Sequence, residues 1–250
     1  MPLLGTTVRL VSRLTAVTTL LICCSTSCLG ADAEIQSVRA DSDPALDTNA
    51  SSSFWRGALP VYMDADTMGR PDIKFRTEVR TRWTERYLYF LFICPYEQLD
   101  LKPNPNTSAE TYGLWNWDVA EVFIGSDFDH IRRYKEFEMS PRGEWIDLDI
   151  DLDQPKHEDG WKWNSGFSLS ARIDEATHIW YGAMKIPYTA IDDGTAAVGN
   201  RFRINLFRSQ GPPPARHQIA WQAPMKDSFH VPEKFGILRL VEIKEIKKAP

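Results

Sequence analysis

Lys74-Phe-Arg-Thr-Glu-Val-Arg-Thr-Arg-Trp83, followed after Thr84-Glu85-Arg86 by Tyr87-Leu-Tyr-Phe-Leu-Phe-Ile93, decides the fold. In the first run Phe75, Thr77, Val79, Thr81 and Trp83 alternate with Lys74, Arg76, Glu78, Arg80 and Arg82, so every charge falls on one side. Side chains change face at each residue of a strand, and the pattern therefore predicts an antiparallel strand with one buried and one wet face. The second run is apolar at every position, as in a central strand covered on both faces, and the short link makes the two a hairpin.

Working outward, the same two-residue period predicts strands over 119–124, 134–139, 145–152, 167–173, 178–186, 201–208 and 235–243. Pro141-Arg-Gly143 is a turn between two of them, and Gly211-Pro-Pro-Pro214 is a loop that cannot join a ladder. Only 187–191 reads as helical, a single turn with proline at its first position. Strands at this spacing predict an all-β antiparallel β-sandwich, with jelly-roll or immunoglobulin-like layers, over residues 51–244. Residues 245–250 form a C-terminal tail.

The first residues read differently. Arg9 and Arg13 precede an apolar run from Leu14 to Cys24, followed by small residues and Ala31-Asp32-Ala33, which is the layout of a secretory signal peptide over residues 1–33. The run falls well short of the roughly 20 residues a membrane-crossing helix needs, so no membrane span is expected and the chain is assigned to the periplasm or the outside of the cell. Lipid attachment at Cys23, Cys24 or Cys28 lacks the flanking residues it would require. Residues 34–50 show no apolar periodicity and read as a flexible N-terminal segment. Once 1–33 are removed, Cys94 is the remaining cysteine, a buried small hydrophobe in a strand. The net charge of −5 becomes one unit more negative, which disfavours nucleic acid as a partner. All nine tryptophans stay in the mature part, a heavy load for a domain of this size.

The segment Gly113-Leu-Trp-Asn-Trp-Asp-Val-Ala-Glu-Val-Phe-Ile124 delivers Trp115 and Trp117 on a polar loop and Glu121 on the strand that follows. An indole stacks on the C–H face of a pyranose while a neighbouring carboxylate accepts its hydroxyls, so this pairing suits a sugar. A second cluster is Arg203-Ile-Asn205-Leu-Phe-Arg208, and a third runs from Gln218-Ile-Ala-Trp221 to Ser228-Phe-His-Val-Pro-Glu-Lys-Phe-Gly236. Against the sugar reading of Glu121 stands a buried ion pair with Arg203 or Arg208. Against that of Trp115 and Trp117 stands simple packing at one end of the sandwich.

Three further chemistries have candidate residues in the sequence. Asp147, Asp149, Asp151 and Asp153 share one face of a strand, and such crowding asks for cations. If calcium binds, Asp151 and Asp153 near the strand end hold it. Otherwise the face opposes the Arg/Lys side of a neighbouring strand. A glycoside hydrolase would need two carboxylates, Glu121 with Glu136 or Glu138, about 5–10 Å apart across a scissile bond. A haem would need an axial pair such as Met184 with His178 or His230. The histidines show no zinc spacing. A protein-interaction module of the cell envelope is the remaining alternative.

The ordered set Leu-Trp-x-x-Asp-x-x-Glu-Val-Phe, Tyr-x-Glu-Phe-Glu-x-Ser-Pro-x-Gly, Arg-Ile-Asn-Leu-x-Arg, Ala-Trp and Phe-His-x-Pro-x-x-Phe-Gly resembles the family 9 carbohydrate-binding modules and their DOMON-like relatives, over roughly residues 44–242. The resemblance implies a β-sandwich that binds a mono- or oligosaccharide, often a polysaccharide end, between two tryptophans without catalysing anything. It carries Trp115 and Glu121 over to the binding site, with Trp221 as the second half of the clamp and Gln218, Asn205 and Arg208 bonding hydroxyls. It requires no cofactor, although structural calcium is common in that family, and it leaves room for a partner glycoside hydrolase.

Overall fold

The computed structural model describes residues 33–154 and 161–243. The expected signal peptide, apart from Ala33, and the expected tail lie outside the described residues. Within them, thirteen strands follow one another: β1 (Glu34–Arg39), β2 (Pro60–Met63), β3 (Ala65–Asp66), β4 (Thr77–Trp83), β5 (Tyr87–Pro95), β6 (Val119–Gly125), β7 (Arg133–Met139), β8 (Trp145–Asp151), β9 (Ser168–Asp174), β10 (Ile179–Pro187), β11 (Arg201–Gln210), β12 (His217–Ala220) and β13 (Gly236–Val241).

The ladder runs β8-β7-β6-β11-β13-β1-β4-β5-β10-β9, with β2 added to β4, and β12 bridging β11 and β3. Its two halves close on one core. Phe90 and Phe92 of β5, Val79 and Trp83 of β4, Met184 and Ile186 of β10 meet Val122 and Ile124 of β6, Ile204 and Leu206 of β11, and Leu238 and Leu240 of β13. The result is a β-sandwich, as the two-residue period predicts, because each strand spends alternate residues on this shared interior. Cys94 lies in the same core, fully buried, and burial pushes its thiol up to about 12.

The quoted hairpin forms as read. Trp83 pairs with Leu88 and Glu78 with Ile93 across an antiparallel ladder. Its apolar second strand is covered twice: Leu88, Phe90 and Phe92 face the main core, while Tyr89 and Leu91 meet Trp55, Ala183, Leu46, Ala50 and Phe54 outside it. That outer layer corrects two expectations. The charged side of β4 is not wet, because residues 46–56 cover it: Arg80 donates to the Ala50 carbonyl at 2.7 Å, and Arg82, 8% exposed, donates to the carbonyls of Val38, Arg39 and Phe54. Furthermore, Ile73–Phe75 is a 3-10 turn and the strand begins at Thr77.

The flexible segment expected at 34–50 is also corrected. Its first six residues are β1, which lies parallel between β13 and β4 and joins the two halves of the ladder, so the sheet is mixed rather than wholly antiparallel. Ile35 and Val38 are buried, and Ser37 shares a hydrogen bond of 3.0 Å with Thr81. Two apolar side chains in six residues make no periodic signal, and the partners that order the strand are 40 to 200 residues away. The helical turn near Pro187 is a 3-10 turn over Tyr188–Ala190. One short helix was not foreseen, α1 (Ser53–Arg56), whose cap is Ser52 Oγ accepting from the Trp55 amide.

Candidate functional site

Strands β6, β7 and β11 are neighbours, and the pleat divides each one between two environments. Ala120, Val122, Ile124, Phe137, Met139, Ile204 and Leu206 enter the sandwich interior. Val119, Phe123, Tyr134 and Phe207 stand on the opposite face with Ile146, Leu148 and Ile150 of β8, and build a second, outer cluster closed by Leu114, Ala220 and Phe235. Glu121, Glu136 and Glu138 belong by parity to that outer face, in which Glu121 pairs across the ladder with Glu138, and Phe123 with Glu136.

The outer face holds a cavity of about 250 Å³. Tyr112, Trp115, Trp161 and Phe229 are its large aromatic walls, Glu121 and Glu136 its acidic groups, and Gln218, Ser209, Ser228 and His230 its other polar groups. Each wall has an identifiable support. Trp115 sits in a 3-10 turn (Leu114–Asn116) opened by Gly113 at φ +82°, a left-handed conformation that glycine adopts without cost. Leu114 anchors this turn in the outer cluster, and Arg216, at the end of the proline loop, donates to the carbonyls of Trp115 (3.1 Å) and Trp117 while paired to Asp100 at 3.2 Å. Tyr112 meets Trp115 edge to face, with centroids 5.0 Å apart. Phe229 lies flat on Phe207 at 4.2 Å. Trp161 is tied to β8 by its carbonyl, which accepts from the Asp149 amide at 2.9 Å, and it holds a left-handed φ of +64°. Such a conformation is costly for a bulky side chain and persists where surrounding contacts enforce it.

The acidic groups are the unusual part. Carboxylate oxygens of Glu121, Glu136 and Glu138 lie within 4.8 Å of one another, and the three residues are at most 3% exposed. Burial raises the Glu121 carboxyl well above the usual range and Glu136 raises it further, with Arg216 the opposing cation. Burial raises Glu138 likewise, followed by the charges of Glu121 and Glu136. Oε1 of Glu121 is buried without a hydrogen-bond partner. His230 reaches this region from the side, its Nδ1 2.6 Å from the Tyr134 hydroxyl and 4.0 Å from Glu136.

Among the residues singled out in the sequence, Trp115, Glu121 and Gln218 come together here; Asn205, Arg208 and Trp221 do not line the cavity. Asn205 shares the outer face but spends its amide on the chain after β12, donating to the Gln222 carbonyl at 2.8 Å and accepting from the Gln222 amide at 3.0 Å. Arg208 lies on the opposite face of β11, fully buried, and donates to Thr77 Oγ1 (2.9 Å), the Pro95 carbonyl (2.6 Å) and Gln210. Arg208, one of the arginines offered as a structural partner for Glu121, therefore does not have that role. Trp221 packs against the main core and over Gly236, where an added Cβ would come within 2.5 Å of its ring. The two-tryptophan clamp of Trp115 and Trp221 is therefore not built; Trp161 and Phe229 stand opposite that expectation. Trp161 could have been found by the reasoning that found Trp115, since Gly160-Trp-Lys-Trp-Asn-Ser-Gly166 is another tryptophan-bearing polar stretch.

The aspartates of β8 oppose basic residues of β7, as in the second of the two readings of that face. Asp153 is paired to Arg132 at 2.6 Å, Asp151 to Arg133 at 3.1 Å and Asp149 to Lys135 at 2.6 Å, while Asp147 accepts from the Ser165 amide. Asp151 Oδ1 moreover accepts from the Asp153 amide. Calcium takes six to eight oxygens, and at Asp151 and Asp153 it would have to displace two guanidinium groups, so these residues do not fit the ion. Met184 is in the main core and His230 outside it, so they offer no common haem pocket.

Residues 46–243 match the family described as carbohydrate family 9 binding domain-like. Endo-1,4-beta-xylanase A of Thermotoga maritima is 23% identical over 189 residues, which are 76% of this chain and 16% of the xylanase. An extracellular protein of Arthroderma benhamiae is 26% identical over 134 residues, 49% of this chain and 60% of that protein. The chain thus spans less than two thirds of the length of either relative. Among solved structures, a putative carbohydrate-binding protein from Bacteroides uniformis superimposes with a TM-score of 0.66 at 15% identity, covering 84% of this chain and all of the other. A family 9 carbohydrate-binding module from Caldicellulosiruptor kristjanssonii in complex with cellotriose gives 0.60 at 12% identity, covering 87% and 98%. The same kind of module in complex with glucose gives 0.60 at 12%, covering 84% and 96%.

Proposed function

We propose, on the premise that this chain belongs to the carbohydrate family 9 binding domain-like family, that its outer-face cavity binds a sugar residue and catalyses nothing. The observation that carries the reading is the union, in one cavity, of aromatic walls with a buried carboxylate oxygen, Oε1 of Glu121, that lacks a hydrogen-bond donor. A buried unpaired acceptor costs about 1–3 kcal/mol, and a sugar hydroxyl is a donor that would relieve that cost. Trp115 and Trp161 offer indole faces to the ring's C–H groups, and Gln218 and Ser209, cross-strand neighbours on β12 and β11, supply further polar contacts at the rim.

The arrangement of the acids speaks against hydrolysis. A glycosidase sets its two carboxyls on either side of the scissile bond, roughly 5–10 Å apart. Glu121 and Glu138 are instead direct cross-strand neighbours, and all three acids project from one sheet face on the same side of any ligand. No described helix is long and apolar enough to cross a membrane. The leader-like N-terminus supports export of a binding module, and the match to part of a xylanase supports work beside a carbohydrate-degrading enzyme.

Isothermal titration with glucose and cellotriose is the direct test, on the wild type and on Trp115→Ala and Trp161→Ala. Binding by the wild type that either variant weakens is expected. Absence of heat with both sugars would sink the reading and leave an interaction module. Release of reducing ends that Glu121→Gln abolishes would show an enzyme instead.

A further inference from the structure

We infer that the bound sugar is one unit of a longer chain: the ligand leaves the aromatic cavity across Gln218, and its next unit lies in a second cavity beside the turn that follows β3. The inference rests on the sugar-binding reading and deepens it. At about 250 Å³ the aromatic cavity is smaller than the roughly 300–1,000 Å³ of pockets that enclose a drug-sized molecule, so it has room for about one ring. The second cavity, of about 620 Å³, is lined by Thr67, Arg70 and Asp72 after β3 and by Arg216, His217 and Gln218 at β12. Two residues tie the cavities together. Gln218, exposed on β12, lines both. Arg216 lines the second while its guanidinium bonds the carbonyls of Trp115 and Trp117, at the turn that walls the first.

The second cavity is equipped to bond hydroxyls. Its turn is fixed from within: Asp66 Oδ1 accepts from the amides of Met68 and Arg70, both at 2.9 Å, and Asp66 Oδ2 accepts from Arg70 Nε at 2.6 Å. His217 Nδ1 and Asp72 Oδ2 are 2.7 Å apart, and the imidazole packs on Phe75 with ring centroids 4.4 Å apart. Arg70 is thus paired with Asp66 and His217 with Asp72, so these groups ask for no charged ligand. What they leave open is hydrogen bonding. Among the described residues nothing bonds the side-chain amide of Gln218 or the terminal nitrogens of Arg70, whereas Asn205 and Gln210 spend their amides on protein carbonyls. A glutamine amide carries two N–H donors and a carbonyl with two lone pairs, so Gln218 can bond a hydroxyl on either side of one sugar linkage. Arg70 sets free donors beside the Asp66 carboxylate, and a donor next to an acceptor suits adjacent hydroxyls of one ring.

The test is a calorimetric titration of the full chain with glucose, cellobiose and cellotriose, on the wild type and on Arg70→Ala. The wild type is expected to bind cellobiose and cellotriose about tenfold more tightly than glucose, the gain from one or two added hydrogen bonds. The Arg70 side chain is 78% exposed, so its truncation leaves the core intact. Arg70→Ala should therefore keep the affinity for glucose while bringing that for cellobiose to within about threefold of it. Equal binding of glucose and cellobiose by the wild type would overturn this inference and leave the sugar-binding reading standing. A gain with chain length that Arg70→Ala retains in full would also overturn it, because the further unit would then lie elsewhere. Failure of all three sugars would remove both readings together.

Discussion

The two faces of β11 and its neighbour β6 treat buried charge in opposite ways. On the inner face Arg208 is completely enclosed, yet each of its terminal nitrogens donates to protein acceptors, drawn from β4, β5 and β11 and the turn before β4. On the outer face Glu121, Glu136 and Glu138 are just as enclosed but crowded together, with an oxygen of Glu121 left unpartnered. Burying a charge is costly on either side. At Arg208 the terminal nitrogens offset that cost by tying the two halves of the sandwich together, although Nε has no partner, whereas Oε1 of Glu121 is left without one beside the cavity.

The sharpest way to break this contrast is at Arg208. Arg208→Ala should cost about 3–5 kcal/mol in urea unfolding, because it strands the acceptors around it and opens a hole in the core. Protein that remains folded should still bind sugar; selective loss of binding at unchanged stability would place Arg208 in the site after all. Trp221→Ala comes next, at about 2–3 kcal/mol of stability, since its ring packs on the main core and Gly236. Its affinity for sugar should match the wild type, which a titration of the purified variant checks.

On the outer side, Trp115→Ala should reverse that pattern. Affinity should fall about 30-fold, near 2 kcal/mol, while the melting temperature moves little, because the side chain is a half-exposed wall rather than a core residue.

The next effect is in pH. Burial pushes the Asp118 carboxyl up to about 6 from an ordinary 3.8, so the folded state holds its proton more tightly than the unfolded one. This group's contribution is therefore most favourable below 3.8 and is lost as pH rises to about 6. The raised carboxyls of Glu121 and Glu138 act with the same sign. The melting temperature of Glu138→Gln minus that of the wild type should thus increase with pH. A difference that shrinks with pH would mean the cluster is charge-compensated within the protein.

Smallest of all should be Asp153→Ala. Its exposed pair with Arg132 is worth about 0–1 kcal/mol, and a chelator should change neither variant nor wild type at this position.

The sequence by itself determined the strands whose inward side chains repeat every two residues, hence the sandwich, and it placed Trp115 and Glu121 together, because a turn and the strand it feeds are local. The same period assigns Arg208 to the opposite side of β11 from Phe207. Tertiary structure alone decided that β1 would be a strand, since Ile35 and Val38 carry no pattern until β13 and β4 flank them. It also decided that Trp161 and Phe229 would close the cavity in place of Trp221, and that Glu136 and Glu138 would join Glu121. Alternation along a chain fixes which face a side chain takes, but which distant residues meet on that face depends on the order in which strands pair, and that order is settled by the packing of the whole core.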